Sequence, residues 1–203
     1  MAKKVSKPKP VLRRDLYRGN CALELYQCVK NGTADLIVAD PPYNIGQQYE
    51  DYYDQKTVQE YLDWTQLWVQ ACKEALRSTG SMFVFINDAL VSEVDVLIKS
   101  LGFHPRSKIV WYYTFGQNTQ GNFTPSHTNI LYYSKHKTKR TWNGDDPQCR
   151  IPSARQLVYK DKRANPAGRL PDNTWILYPH LLPEGSFNPL GDTWLESRVA
   201  GTF

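Results

Sequence analysis

Apolar and polar residues follow two different periods along the chain, and these predict strands and helices in alternation. Short apolar runs predict strands over 16–17, 34–39, 81–86, 108–113 and 129–134. Apolar residues three or four apart predict helices over 22–30, 58–80 and 89–100, with Gly80 and Gly102 as the residues that end the last two. Thr57 and Glu60 have the spacing of a capping box before the long helix. Because strands and helices alternate, the pattern predicts a doubly wound α/β sheet with right-handed crossovers.

The strand over 34–39 leads directly into Asp40, Pro41, Pro42 and Tyr43. A buried central strand would place Asp40 at the rim of the sheet, where ligands of open α/β folds bind. Each proline fixes φ near about −65° and lacks a backbone donor, so the turn is stiff and presents acceptors. Asp40 and the Pro41 carbonyl can accept hydrogen bonds from a planar amine and free its lone pair for attack, while Tyr43 offers a flat face for a base. A proline-rich turn without a ligand is the plain alternative.

Composition and charge narrow the class of protein. The 203 residues are 41% apolar and suffice for one α/β domain with an insertion, and the formal charge of +5 favours a polyanionic partner. The four cysteines, Cys21, Cys28, Cys72 and Cys149, have no zinc-like spacing and are typical of reduced, cytoplasmic thiols. Isolated histidines predict no metal site, and without a run of eighteen apolar residues we expect no membrane span. Residues 1–14 are basic, lack the apolar stretch of a signal peptide and predict a disordered arm.

Asp40 to Tyr43 resembles the catalytic motif of the amino methyltransferases, which use S-adenosylmethionine to methylate adenine N6 or cytosine N4 in DNA. Further segments resemble the family in its order: 16–21, 44–46, 80–85, 109–111 and 127–135. The early position of the catalytic motif is that of the circularly permuted, beta-type class. The resemblance implies a Rossmann-like methyltransferase sheet with an inserted target-recognition region.

The resemblance also implies roles for particular residues. Asp40, Pro41, Pro42 and Tyr43 would be catalytic. S-adenosylmethionine would be the cofactor, bound by Asn20, Cys21 and Asp40, with Asn20 where the family has an aspartate. Asp rather than Ser at position 40 favours a site-specific, adenine-N6 methyltransferase of a restriction-modification system that acts on a flipped-out base. A cytosine-N4 methyltransferase and a non-catalytic module that binds DNA or a partner protein are the alternatives.

The family's glycine-rich cofactor motif is absent from the sequence, and no Gly-x-Gly-x-x-Gly loop replaces it. We therefore expect an incomplete methyltransferase sheet, in a fragment, in a subunit whose second chain supplies that motif, or in a degenerate relative. The expected organisation is a basic arm over 1–14, a partial catalytic core over 15–135, a target-recognition region over 136–195 and a return toward the core over 196–203.

Basic residues are concentrated in the interval from Lys135 to Arg169, which lies where the resembled family has its recognition region. The residues expected to contact double-stranded DNA are Asn44, Lys137, Lys139, Arg140, Arg150 and Arg155, and Trp142 and Tyr159 are aromatics that could wedge or stack. A solvated charged loop is the alternative. The tyrosine-rich loop over 44–56 is either a lid over the base or a surface loop, and His127 is expected to be structural or to position substrate.

Overall fold

The structure is a computed structural model, which describes residues 14–49, 52–113 and 119–176. The helices are α1 (Cys21–Cys28), α2 (Val58–Ala75), α3 (Val91–Ser100) and α4 (Ala154–Leu157). The strands are β1 (Ala34–Ala39), β2 (Gln47–Gln48), β3 (Tyr53–Asp54), β4 (Leu76–Ile86), β5 (His104–Tyr112), β6 (His127–Ser134) and β7 (Thr174–Ile176). The predicted arm before Arg14, and every prediction made for residues 177–203, lie outside the described residues.

Five strands form the central sheet in the order β1-β4-β6-β5-β7. β1 pairs in parallel with β4, and β5 in parallel with β7, whereas β6 is antiparallel to both of its neighbours. β1, β4, β5 and β7 therefore point the same way. We call the edge where β1, β4 and β5 end and β6 begins the carboxyl edge.

The three longer helices share one core with one face of the sheet. Alternate residues of β4 and β6 point into it, because side chains of a strand alternate between faces: Met82, Val84, Ile86, Leu131 and Tyr133. Helix α2 contributes Tyr61, Val69 and Cys72 to the same core. Burial raises the pKa of the Cys72 thiol to about 12, with a smaller contribution from Cys21.

The opposite face of β1 is open. Leu36 and Val38 are 55% and 60% exposed, and within the described part of the chain β1 pairs with β4 alone. The sequence predicts a buried central strand here, because an apolar run such as Leu36 to Ala39 is typical of strands covered on both faces. The strand has the predicted bounds, but the described sheet places it at an edge with one face uncovered.

The capping box at the start of α2 is confirmed. The Thr57 hydroxyl accepts from the Glu60 amide at 3.3 Å, and the Glu60 carboxylate accepts from the Thr57 amide at 2.8 Å. The Thr57 hydroxyl also donates to Glu60 Oε2 at 2.7 Å, and this bond, together with the one from the Thr57 amide, lowers the pKa of Glu60.

Three predictions of secondary structure are wrong. Helix α2 ends at Ala75, and Gly80 lies inside β4, where a Cβ atom would stand 3.0 Å from the carbonyl oxygens of Ala34 and Arg77. Gly80 thus serves the close approach of two backbones, not the end of a helix. Residues 16–17 form no strand, and β5 and β6 pair as antiparallel neighbours with no helix in the described residues between them, so helices do not alternate with strands throughout.

Candidate functional site

The turn after β1 stands at the carboxyl edge with its carboxylate exposed. One oxygen of Asp40, Oδ1, accepts a hydrogen bond from the Tyr43 hydroxyl at 2.8 Å. Within the described residues no donor reaches the other oxygen, Oδ2. Asp40 is exposed and Tyr43 is half-buried, so this corner is not sealed in the core.

The carbonyl groups of the turn are not equivalent. The Pro42 carbonyl accepts from the Tyr61 hydroxyl at 2.8 Å, and the Tyr43 carbonyl accepts from Asn87 Nδ2 at 3.1 Å. The Pro41 carbonyl has no hydrogen-bond donor among the residues that the structure describes. Tyr61 and Asn87 thus fix the turn by hydrogen bonds to two of its carbonyls. Asp40 Oδ2 and the Pro41 carbonyl remain as acceptors without a donor in the described residues.

Tyr61 joins the core to this turn. It is fully buried in α2, and its ring lies 5.6 Å from that of Trp64. Burial raises the pKa of the Tyr61 phenol, so the hydroxyl remains protonated and a donor under ordinary conditions. Its role was missed at the sequence level, because Tyr61 has the helical spacing of an ordinary core residue.

Asn87 holds the turn from the neighbouring strand end. It follows β4 directly, and its donor bond to the Tyr43 carbonyl crosses from β4 to the turn after β1. Its Oδ1 atom is buried and has no hydrogen-bond donor in the described residues. A polar residue immediately after a buried strand was the available sequence signal for it.

Asp88, His127 and Asn129 form a polar cluster beside Asn87. Asp88 Oδ1 lies 3.0 Å from His127 Nε2 and 2.5 Å from Asn129 Nδ2. The cluster joins the end of β4 to the start of β6. This geometry agrees with the structural or positioning role expected of His127.

Within the loop over 44–56, β2 and β3 pair as two short antiparallel strands. Asn44, at a left-handed φ of 58°, donates to the Lys56 carbonyl at 2.9 Å and accepts from the Lys56 amide at 2.7 Å. Asp54 is fully buried and accepts from the Ile45 amide at 3.2 Å. Asn44 therefore joins the segment before β2 to the segment after β3. Its contact with DNA stays a prediction.

A comparison with family models decides the class of protein. Residues 34–197 match the model of the N6/N4 methyltransferases, which is described as DNA methylase. The chain belongs to this DNA methylase family. The matched interval begins with β1 and includes the whole turn from Asp40 to Tyr43.

Individual members of the DNA methylase family are similar over part of their length. Type II methyltransferase M.HpaI of Haemophilus parainfluenzae is 32% identical over 155 residues, which are 76% of this chain and 48% of that protein. DNA adenine methyltransferase YhdJ of Escherichia coli K12 is 27% identical over 168 residues, which are 80% of this chain and 56% of that protein. The chain spans about half the length of these curated relatives.

A solved methylase structure supports the fold. The PvuII DNA methyltransferase, described as cytosine-N4-specific, superposes with a TM-score of 0.55 at 15% identity, covering 79% of this chain and 55% of that one. The predicted methyltransferase-like α/β sheet is therefore confirmed as a fold.

The residues predicted to bind the methylase cofactor lie on two separate elements, the start of α1 and the turn after β1. Asn20 caps α1, because its Oδ1 accepts from the Ala22 amide at 3.0 Å, and Cys21 is the exposed first residue of that helix. No hydrogen bond in the described residues joins either of them to Asp40. The Asn20 amide nitrogen has no acceptor in the described residues and suits a hydroxyl or ring nitrogen of a nucleoside, but no glycine-rich turn accompanies it.

The basic residues predicted to contact DNA have different surroundings. Lys137, Lys139 and Arg155 are exposed. The guanidinium of Arg140 lies 4.6 Å from the centre of the Trp142 ring. Arg150 is engaged within the protein, since it donates to the Gly168 carbonyl at 3.2 Å and to Asp145 at 2.9 Å. The first three are open to a phosphate, whereas Arg150 organises its own loop; their contact with DNA stays a prediction.

The described residues contain no cluster of histidine, cysteine or acidic residues able to hold a metal ion. No helix among them has the length and apolar character needed to cross a membrane. A surface pocket near Asp95, Arg106 and Tyr132 lies at the first half of β5, away from the carboxyl edge, and includes none of the predicted site residues.

Proposed function

We propose that this chain is the base-binding and DNA-recognition part of a site-specific DNA adenine-N6 methyltransferase that uses S-adenosylmethionine. One observation carries the proposal. Asp40 Oδ2 and the Pro41 carbonyl have no donor in the described residues, and they lie on a stiff turn whose next two carbonyls accept hydrogen bonds from Tyr61 and Asn87. Such a turn is suited to an amino group with two hydrogens to donate.

The acceptors act on the nitrogen of the target base. An adenine amine is a weak nucleophile because its lone pair is delocalised into the ring. When it donates to Asp40 and to the Pro41 carbonyl, the nitrogen is drawn toward tetrahedral geometry and the lone pair is freed. S-adenosylmethionine, when bound, supplies the electrophilic methyl group. The Tyr43 ring provides the face on which the extruded base stacks.

The choice of adenine rests on two supports. The family resemblance associates Asp at position 40 with adenine, and the similar protein YhdJ is named a DNA adenine methyltransferase. Cytosine-N4 is the alternative target, since the cytosine amine is also planar. The type II names of M.HpaI and other relatives favour a place in a restriction-modification system, and a DNA substrate together with four free thiols favours the cytoplasm.

The target base is tested by removing the gene from cells that encode it. Their DNA is digested to nucleosides, and N6-methyladenine and N4-methylcytosine are measured by mass spectrometry. We expect N6-methyladenine to fall and N4-methylcytosine to stay unchanged. Loss of N4-methylcytosine instead would assign the chain to cytosine, and no change in either would contradict methyl transfer to DNA.

The open face of β1 supports a proposal for the cofactor half of the enzyme. Leu36 and Val38 are exposed on a strand whose sequence is typical of burial on both faces, and one edge of β1 has no strand partner in the described residues. We infer that polypeptide outside these 203 residues, carrying the glycine-rich turn, packs on this face and adds a parallel strand to β1.

A pair of exposed leucines tests this docking face. Leu36→Asp should leave the isolated chain folded, because the side chain is 55% exposed, but should abolish DNA methylation in complemented cells by placing a charge in the proposed interface. Leu67→Asp, at a residue 57% exposed on α2, is the matched control and should preserve methylation. Normal methylation by Leu36→Asp would overturn the proposed docking face.

A further inference from the structure

The residues between Ile151 and Arg169 form a closed loop, which we call the recognition loop. Ile151 and Arg169 pair as an antiparallel bridge, with N to O distances of 2.9 and 2.8 Å. Gly168, at a φ of 86°, lies so close to the Ile151 carbonyl that a Cβ atom could not be accommodated. The two ends of the loop are therefore held together by backbone.

Hydrogen bonds inside the recognition loop hold its shape. Ser153 and Gln156 form a capping box for α4, and Gln156 also donates to the Pro166 carbonyl at 3.3 Å. The Asp161 amide donates to the Arg155 carbonyl at 2.9 Å, and Asp161 pairs with Arg163. The bond with Arg163 lowers the pKa of Asp161. The loop is a compact unit, so its surface residues are presented in a defined arrangement.

One segment on the surface of this unit is apolar and aromatic. Three consecutive residues, Leu157, Val158 and Tyr159, are 45%, 70% and 75% exposed. Single exposed apolar residues are common, but a consecutive group on a structured loop marks an interaction surface. A partner with an apolar interior would bury it.

Two exposed lysines follow the apolar residues. Lys160 follows Tyr159 directly at a left-handed φ of 48°, and Lys162 lies two residues further on. Neither ammonium group has an ion-pair partner in the part of the chain that is described. A polyanion with stacked apolar planes inside it, which is a nucleic-acid duplex, matches both the charge and the apolar surface.

We propose that Tyr159, with Val158 beside it, inserts between the stacked bases of duplex DNA, while Lys160 and Lys162 bind the adjacent phosphates. The inference rests on DNA as the proposed substrate and adds the element that opens the base stack. Apolar side chains that enter the stack separate neighbouring bases, and unstacking accompanies the extrusion of a target base.

Binding to two oligonucleotides tests insertion without methyl transfer or knowledge of the target sequence. One is an intact duplex, and the other is the same duplex with a single abasic position, which offers a gap that Tyr159 can fill without separating bases. We expect the wild-type chain to bind the abasic duplex about tenfold more tightly. Tyr159→Ala should remove this preference, and Tyr159→Phe, which keeps the ring, should retain it.

Two controls separate insertion from charge. Tyr26→Ala removes an exposed ring from α1 and should keep the preference for the abasic duplex. Lys162→Ala should weaken binding to both duplexes equally and lower the slope of log affinity against log salt by about 0.9, whereas Tyr159→Ala should leave that slope unchanged.

Equal binding of the two duplexes by the wild-type chain would overturn insertion but leave DNA binding intact. No binding to either duplex would overturn both the inference and the DNA contact in the proposed function. The gene-removal experiment, which reports methyl transfer, is independent of both outcomes.

Discussion

Asp40→Ala is expected to lower DNA methylation by about three orders of magnitude while leaving the affinity for DNA unchanged. The substitution removes the carboxylate that we propose accepts from the target amine, and Asp40 has no contact in the described structure with the basic residues predicted to bind DNA. Methylation is measured in gene-deleted cells that carry the variant, and affinity is measured with the purified chain and duplex DNA. Normal methylation by Asp40→Ala would refute its assigned role.

Tyr43 provides the matched controls for Asp40. Tyr43→Phe removes the hydroxyl that donates to Asp40 Oδ1 at 2.8 Å but keeps the ring, so methylation should fall only a fewfold, as expected for one hydrogen bond. Tyr43→Ala removes the stacking face as well, and the loss should be larger by about 1–3 kcal/mol of base stacking. Equal losses in the two variants would show that the hydroxyl, not the ring, is the group the reaction needs.

Tyr61→Ala is expected to lower the free energy of unfolding by about 3–5 kcal/mol, because it removes a fully buried ring from the core of α2. Urea denaturation of the purified chain measures this. The informative variant is Tyr61→Phe, which keeps the ring and removes only the donor to the Pro42 carbonyl. It should lower the free energy of unfolding by about 1–2 kcal/mol and also reduce methylation, since the turn from Asp40 to Tyr43 loses one of the two hydrogen bonds that hold its carbonyls.

The two Tyr61 variants distinguish packing from positioning. A purely structural role would lower stability in both variants and leave methylation by Tyr61→Phe at the wild-type rate under conditions where the variant is fully folded. A positioning role lowers that rate while the fold is intact. Wild-type stability and methylation together in Tyr61→Phe would show that the bond to Pro42 is dispensable.

The candidate site is formed by residues at several strand ends. Asp40 comes from the residue after β1, Asn87 from the residue after β4, and His127 from the start of β6. Their meeting depends on β1 and β4 running in parallel and on β6 entering between β4 and β5 in the opposite direction. An antiparallel β6 was not evident from its apolar sequence, because an apolar run does not encode direction.

Residues adjacent in sequence were sufficient to predict part of this structure. The bounds of β1, the capping box of α2 and the acceptor turn from Asp40 to Tyr43 follow from residues adjacent in sequence, since proline, the capping pair and a short apolar run act over a few residues. Tertiary structure decided what depends on distant neighbours: that Gly80 lies in a strand, that Tyr61 and Asn87 hold the turn, and that Leu36 and Val38 remain open. Each of these outcomes depends on contacts between residues that are far apart in sequence, and the local sequence pattern does not determine those contacts.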